Sequence, residues 1–248
     1  MRLRFAFVLA LTAACAGGDA SQATLPATVG DLLRDTLQAP LPAEVKEEEE
    51  RRHVWADMRR FYRRRLWLPA WFDAEGAVPA AQKLLDAIPL VAREGVEPRH
   101  YRAEELAAHL AELAKIESFD DPLAQRRLVA ADLRFTYAFM TLAHHLAVGR
   151  LNPRSIRAEW YTKPRDPNLG ELLTAMLEKP EALGAGLEAL VPPLAPYAEL
   201  RTALAAYREL AAAGGWPEVA AGPTLKPGAT GERVAALRQR LAAGGDLP

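Results

Sequence analysis

Apolar residues recur at intervals of three and four through most of this chain, the spacing of amphipathic helices. Val29 to Tyr62 reads as helical and carries the run Lys46-Glu47-Glu48-Glu49-Glu50-Arg51-Arg52. Acids placed three or four positions before bases support a solvated helix face there. Ala80 to Arg93 puts Leu84, Leu85, Ile88 and Val91 on one face, and Tyr101 to Ile116 does the same with Leu106, Leu110 and Leu113. Asp121-Pro122, an acidic cap followed by proline in the first turn, opens the longest helix, Pro122 to Val148. Leu128, Phe135, Leu142 and Leu146 form one stripe on it, and Leu133, Tyr137 and Met140 form another. Two stripes mean burial around much of the circumference, so this is the central core helix. Gly149 and Pro153 end it. Asn168 to Leu177 and Glu181 to Leu190 predict shorter helices, and Tyr197 to Ala213 a long one stopped by Gly214-Gly215 and Pro217. No segment alternates as a β-strand would. The pattern predicts an all-α fold, a multi-helix scaffold domain around one long buried helix.

Two stretches break the rhythm. Phe61-Tyr62-Arg63-Arg64-Arg65-Leu66-Trp67-Leu68-Pro69-Ala70-Trp71-Phe72-Asp73 interleaves basic and aromatic residues. On an RNA-binding surface such interleaving makes a stacking platform; the reading favoured here is that Trp67, Trp71 and Phe72 plug a core at a helix end. Pro69 breaks the helix and Asp73-Ala74-Glu75-Gly76 turns the chain. After Pro223 the texture changes again. Thr230 to Leu241 aligns Val234, Leu237 and Leu241 on one helical face, yet one helix cannot bury a core alone. Residues 224–248 therefore read as an incomplete small helical domain, loosely docked, whose apolar face lacks partners.

The N-terminus has the build of a secretory signal: Met1-Arg2-Leu3-Arg4, a short apolar run from Phe5 to Leu11, then small residues. The run is shorter than the roughly 20 residues that span a bilayer. Ala14-Cys15-Ala16 fits cleavage before Gly17. Leu11-Thr12-Ala13-Ala14-Cys15 also approaches a lipoprotein box, with Thr12 where a large aliphatic residue is usual, so Cys15 is a candidate lipidation site. Either route exports the chain, to the periplasm or to a membrane-anchored lipoprotein form. Residues 1–16 are read as the signal peptide, 17–28 as a flexible tether, 29–223 as the helical domain and 224–248 as the start of a second one.

Composition narrows the chemistry. The chain has 248 residues and a formal charge of −1, which becomes −3 once Arg2 and Arg4 leave with the signal. That argues against a nucleic-acid binder, which needs a clear cationic excess or patch. Cys15 is the sole cysteine, so cleavage after it leaves no disulfide, thiolate metal site or sulfur nucleophile, and the hydrophobic core must carry stability. His144 and His145 are adjacent and point about 100° apart on a helix, so they cannot share a metal; a packed histidine is the favoured reading for His144. His53, His100 and His109 have no helpful spacing. Asp132, inside the core helix, is the nearest thing to a buried catalytic carboxylate, and a salt bridge to Arg134 or Arg127 is the expected explanation. There is no nucleophile elbow and no phosphate loop. No catalytic, cofactor-binding or metal residue is assigned, and no cofactor is expected.

Three ordered segments carry a resemblance. The first runs from Leu66-Trp67-Leu68-Pro69-Ala70-Trp71-Phe72-Asp73 through Leu84-Leu85 to Gly95-Val96-Glu97-Pro98-Arg99-His100-Tyr101. The second is Ala131-Asp132-Leu133-Arg134-Phe135-Thr136-Tyr137-Ala138-Phe139, continuing to His145-Leu146-Ala147-Val148-Gly149-Arg150-Leu151-Asn152-Pro153 and Trp160. The third is Tyr197-Ala198-Glu199-Leu200-Arg201 through Tyr207-Arg208 to Gly214-Gly215-Trp216-Pro217 and Gly222-Pro223. Together they resemble the scaffold domain of large bacterial L,D-transpeptidases with a YkuD-type catalytic domain, over about residues 29 to 223. Leu225 to Leu241 resembles the first helix of a small peptidoglycan-binding domain.

The resemblance implies a periplasmic role in peptidoglycan cross-linking and cell wall biogenesis, with peptidoglycan as partner and a membrane only if Cys15 is lipidated. Members of that family continue into a β-rich domain whose Ser-x-Gly-Cys-x-Arg cysteine attacks a peptide stem. This sequence has no such motif, so no catalytic residue carries over, and the chain ends about where the second domain would fold, as a gene fragment, contig end or frameshift would. The expected function is the non-catalytic scaffold portion of such an enzyme. The alternatives are a stand-alone cell-wall-binding or adaptor protein and a helical lytic enzyme working through an acidic pair.

Overall fold

The computed structural model describes residues 24–41, 48–151, 156, 159, 161 and 165–247. Cys15, Pro153 and Trp160 lie outside the described residues, as do the proposed signal peptide and residues 17–23 of the tether. Nine α-helices appear among the described residues, in an all-α arrangement with one small hairpin. They are α1 (Ala27–Gln38), α2 (Glu49–Arg64), α3 (Pro79–Ala87), α4 (Ala103–Leu113), α5 (Pro122–Val148), α6 (Leu169–Glu178), α7 (Leu183–Glu188), α8 (Ala195–Ala212) and α9 (Glu232–Ala243).

Helix α5 is the axis, and α1, α2, α4, α6 and α7 all pack on it. Its start follows the predicted chemistry: Asp121 accepts a hydrogen bond from the Ala124 amide at 2.9 Å, with Pro122 in the first turn. Its end is Gly149, whose φ of 96° suits a residue without Cβ. Both stripes are confirmed in part: Leu128, Phe135, Leu142 and Leu146 are buried with Met140, while Leu133 and Tyr137 are half-buried against the core.

The single helix predicted over 29–62 is two helices. Val29, Leu33 and Leu37 of α1 are buried at intervals of four, and Pro40 stops the helix soon after. Its last carbonyls are closed by a side chain from the next helix: Arg59 donates to the Leu37 oxygen and, at 2.8 Å, to the Ala39 oxygen. The helix expected to run to Arg93 changes at Pro89, which lacks an N–H, into a 3₁₀ segment over Ile88–Glu94. The helix expected from Tyr101 starts instead at Ala103, after a short 3₁₀ turn over Pro98–Tyr101.

One short hairpin accompanies the helices, too short to alternate. Phe72–Asp73 (β1) and Gly76–Ala77 (β2) pair antiparallel, with Phe72 opposite Ala77. Asp73 accepts from the Glu75 amide at 2.8 Å, and Gly76 takes a φ of 127°. Two residues per strand leave no alternation to read.

Helix α2 ends in a Schellman motif. The Leu66 amide donates to the Arg63 carbonyl at 3.2 Å and the Trp67 amide to the Tyr62 carbonyl at 2.8 Å. Leu66 and Trp67 both sit in the left-handed region, at φ 55° and 65°. This reversal sends Trp71 and Phe72 into the core as the aromatic pattern predicted, both buried, with Trp67 half-buried. Trp71 packs against Phe135 and Phe139 with ring centroids 5.5 and 6.2 Å apart.

Past Leu190 no described residue is buried. Helix α8 is held by polar contacts around Glu94, whose side chain is 3% exposed. Glu94 receives Tyr197 Oη at 2.8 Å, Arg201 at 3.3 Å and Arg93 at 2.9 Å. In α9, Val234, Leu237 and Leu241 are half-buried rather than partnerless, and Arg233 holds the carbonyls of Ala220 and Pro223, each at 2.9 Å. With so little apolar surface removed from water, this arm opens at lower free energy than the core. Limited trypsin digestion of the folded protein is expected to cut at Arg233 or Arg238 well before any arginine of α5. Equal resistance of both regions would contradict this.

Candidate functional site

Asp132 sits in the middle of α5 with no solvent exposure. Neither arginine expected to pair with it does so: Arg134 and Arg127 are exposed, and Arg134 bonds the Ala130 carbonyl of its own helix. The carboxylate is held by the chain that follows α2. The Ala70 amide donates to both oxygens, at 3.1 and 2.9 Å, and the Trp71 amide to Oδ2 at 2.7 Å. The Tyr62 hydroxyl donates to Oδ1. A second tier completes the set: Trp71 Nε1–H donates to Thr136 Oγ1 at 2.8 Å, and that hydroxyl meets Tyr62 Oη at 2.6 Å. A buried charge without a counter-ion is tolerable only when oriented dipoles replace water. Burial pushes the Asp132 carboxyl up to about 6, against the downward pull of Tyr62 and the two amides. Burial, then the neighbouring Asp132, raises the Tyr62 phenol well above its ordinary range.

A second polar group joins three other elements at the C-terminal end of α5. His145 is 8% exposed. Its Nε2 lies 2.7 Å from Glu50 Oε1, in the first turn of α2, and its Nδ1 lies 2.8 Å from Tyr101 Oη. A carboxylate only accepts, so Nε2–H donates to Glu50, and in the neutral ring Nδ1 accepts from Tyr101. Burial raises the Glu50 pKa, but the hydrogen bond and charge of His145, helped by His144 and Arg150, bring it below the ordinary glutamate value. Burial lowers His144 and raises the Tyr101 phenol above its usual range.

The remaining sequence candidates do not converge. His53 and His100 are exposed, and His109 is half-buried on α4. Among the described residues no cluster of His, Cys, Asp and Glu is placed to hold a metal. A polar cleft of ≈ 290 Å³ opens between α2 and the start of α6, lined by residues including Asp57, Arg60, Arg64, Asp166 and Asn168. Asn168 spends its Oδ1 on the Glu171 amide at 3.2 Å as the α6 cap. Asp132 is fully buried and Tyr101 is 2% exposed, while the Glu50 side chain is 33% exposed. The Asp132 array positions backbone, and the Glu50–His145–Tyr101 array ties the start of α2 and the turn before α4 to the end of α5.

The two carboxylates respond to pH with opposite sign. Asp132 binds its proton more tightly folded than unfolded. Its contribution to stability is therefore whole below pH 4 and declines as pH rises through about 6. Glu50 is depressed, so its contribution is present above the ordinary glutamate range and is lost as pH falls through it. Asp132→Asn is expected to lower stability at neutral pH by about 1–3 kcal/mol, since its amide group opposes the Ala70 and Trp71 donors. The gap between native chain and variant should widen on acidification to pH 4 by as much as about 3 kcal/mol. Urea unfolding across pH measures both; a gap independent of pH would contradict the assignment. Glu50→Gln is expected to flatten the acid-side loss of melting temperature seen in the native chain, and an unchanged acid limb would contradict that.

Comparison with known proteins agrees with this frame. No curated protein and no solved structure matches the chain. The family profile described as the scaffold domain matches residues 56–204. That span holds Tyr62, the Schellman turn, Ala70 and Trp71, all of α5, and the start of α8, so the matched region is the one organised around Asp132. With more than half its length so matched, the chain belongs to the scaffold-domain family.

Proposed function

We propose that this chain is the non-catalytic scaffold portion of a periplasmic L,D-transpeptidase, acting in peptidoglycan cross-linking and cell wall biogenesis. The family match over residues 56–204 carries the reading, and the three ordered segments resembling the scaffold of YkuD-type enzymes supply its enzymatic context. The geometry supports it physically. Hydrogen bonds join residues 61 to 97 positions apart, the part-buried Thr28–Gln125 and the buried Tyr62–Asp132 and Trp71–Asp132. Such cross-links make a stiff body, the property required of a part that holds other modules in register. The signal-like leader supports export, and Cys15 remains the one point where lipid could be attached.

Cells lacking this gene are expected to lose cross-links that join two meso-diaminopimelate residues, read as a muropeptide profile. An unchanged profile would overturn the reading. The adaptor alternative predicts strong binding of residues 17–248 to purified sacculi with no change in cross-linking.

A further inference from the structure

The turn after α2 has a feature that the fold does not explain. Position C′ of a Schellman motif is usually glycine, because the left-handed conformation is disfavoured for residues with a Cβ. Here it is Leu66, at φ 55°, with 79% of its surface exposed. Trp67 follows in the same conformation, and Leu68 is 59% exposed. Glycine would make the same reversal and deliver the Ala70 and Trp71 amides to Asp132 with less strain and no apolar exposure. Two leucines within about 7 Å of chain are thus held outward at a turn that does not itself require them there.

Their setting is cationic. Residues 57–68 hold Arg59, Arg60, Arg63, Arg64 and Arg65 against the single acid Asp57. Arg59 is spent on α1, and Arg65 closes the turn by donating to the Pro69 oxygen at 2.9 Å. Arg60, Arg63 and Arg64 are exposed. Arg60 pairs with Asp57, and Arg64 lies 3.3 Å from an exposed Glu171. Arg63, beside Leu66, has no acidic partner among the described residues.

We propose that the Leu66–Leu68 turn with Arg60, Arg63 and Arg64 is a docking surface for an anionic phospholipid bilayer. Outward leucines enter the acyl boundary while the guanidinium groups meet lipid phosphates. An anionic wall polymer would satisfy the arginines but offer no hydrocarbon to the leucines, which favours lipid. The contact is peripheral: no described helix is long and apolar enough to cross a membrane. It gives the chain a membrane contact besides lipidation of Cys15, and it does not depend on the transpeptidase reading.

The test is sedimentation of the chain from Gly17 onward, which keeps every described residue, with vesicles of phosphatidylcholine alone or mixed with phosphatidylglycerol. Binding is expected only to the anionic vesicles and is expected to weaken with salt. Leu66→Gly is expected to keep or raise the melting temperature while weakening vesicle binding on the order of tenfold. Arg63→Glu is expected to weaken it by about as much without altering the melting temperature. No sedimentation with anionic vesicles, equal binding by the variants, or retention on purified sacculi in place of vesicles would each overturn the proposal.

Discussion

One buried negative charge organises this molecule. Asp132 lies at the centre of the longest helix, out of reach of water and of any cation in contact, and it is neutralised by donors that only a particular chain path can bring to it. The Ala70 and Trp71 amides point at the carboxylate because α2 ends in a left-handed reversal after Tyr62, and Tyr62 itself supplies the third donor. The end of α2, the turn, the hairpin strand that starts at Phe72 and the middle of α5 are thus fixed by one group. Leaving any of those donors or acceptors unpaired in the core costs more than the bond nets in stability. The arrangement therefore contributes more to uniqueness of the fold than to its overall stability.

Around that point the energetics divide the described chain in two. From Val29 to Leu190 the helices share one continuous apolar core centred on α5, with aromatic contacts between Trp71, Phe72, Phe135 and Phe139. Beyond Leu190 the contacts are peripheral: Glu94 with Tyr197 and Arg201, the Tyr207–Trp216 ring pair, then Arg233 with backbone carbonyls. Charged contacts at a surface are sensitive to salt and weak singly.

Local physics was legible in the sequence and long-range pairing was not. The span of α5 could be read closely because Asp121-Pro122 and Gly149 act within one turn of the helix they bound. Trp71 and Phe72 were correctly assigned to core plugging, whereas Trp67, assigned with them, is only half-buried. Asp132 was noticeable as a charge on an apolar helix, but its partners lie 61 to 70 residues away, and two of them are backbone amides that leave no trace in composition. Nearby arginines were a reasonable local guess that the helix geometry defeats, because Arg134 faces solvent. Glu50 and His145, 95 positions apart, were hidden for the same reason. Leu66 was invisible in the opposite way: leucine reads as core, and only the backbone shows it held outward.

The most direct measurement is residue-resolved amide hydrogen exchange of the Ala70 and Trp71 N–H groups. If the Asp132 carboxylate is the anchor described, both amides exchange only by global unfolding, as slowly as those in the middle of α5, although they lie in a segment outside any helix. Exchange as fast as that of the exposed Glu75 amide would show that the turn opens freely and that Asp132 does not hold it.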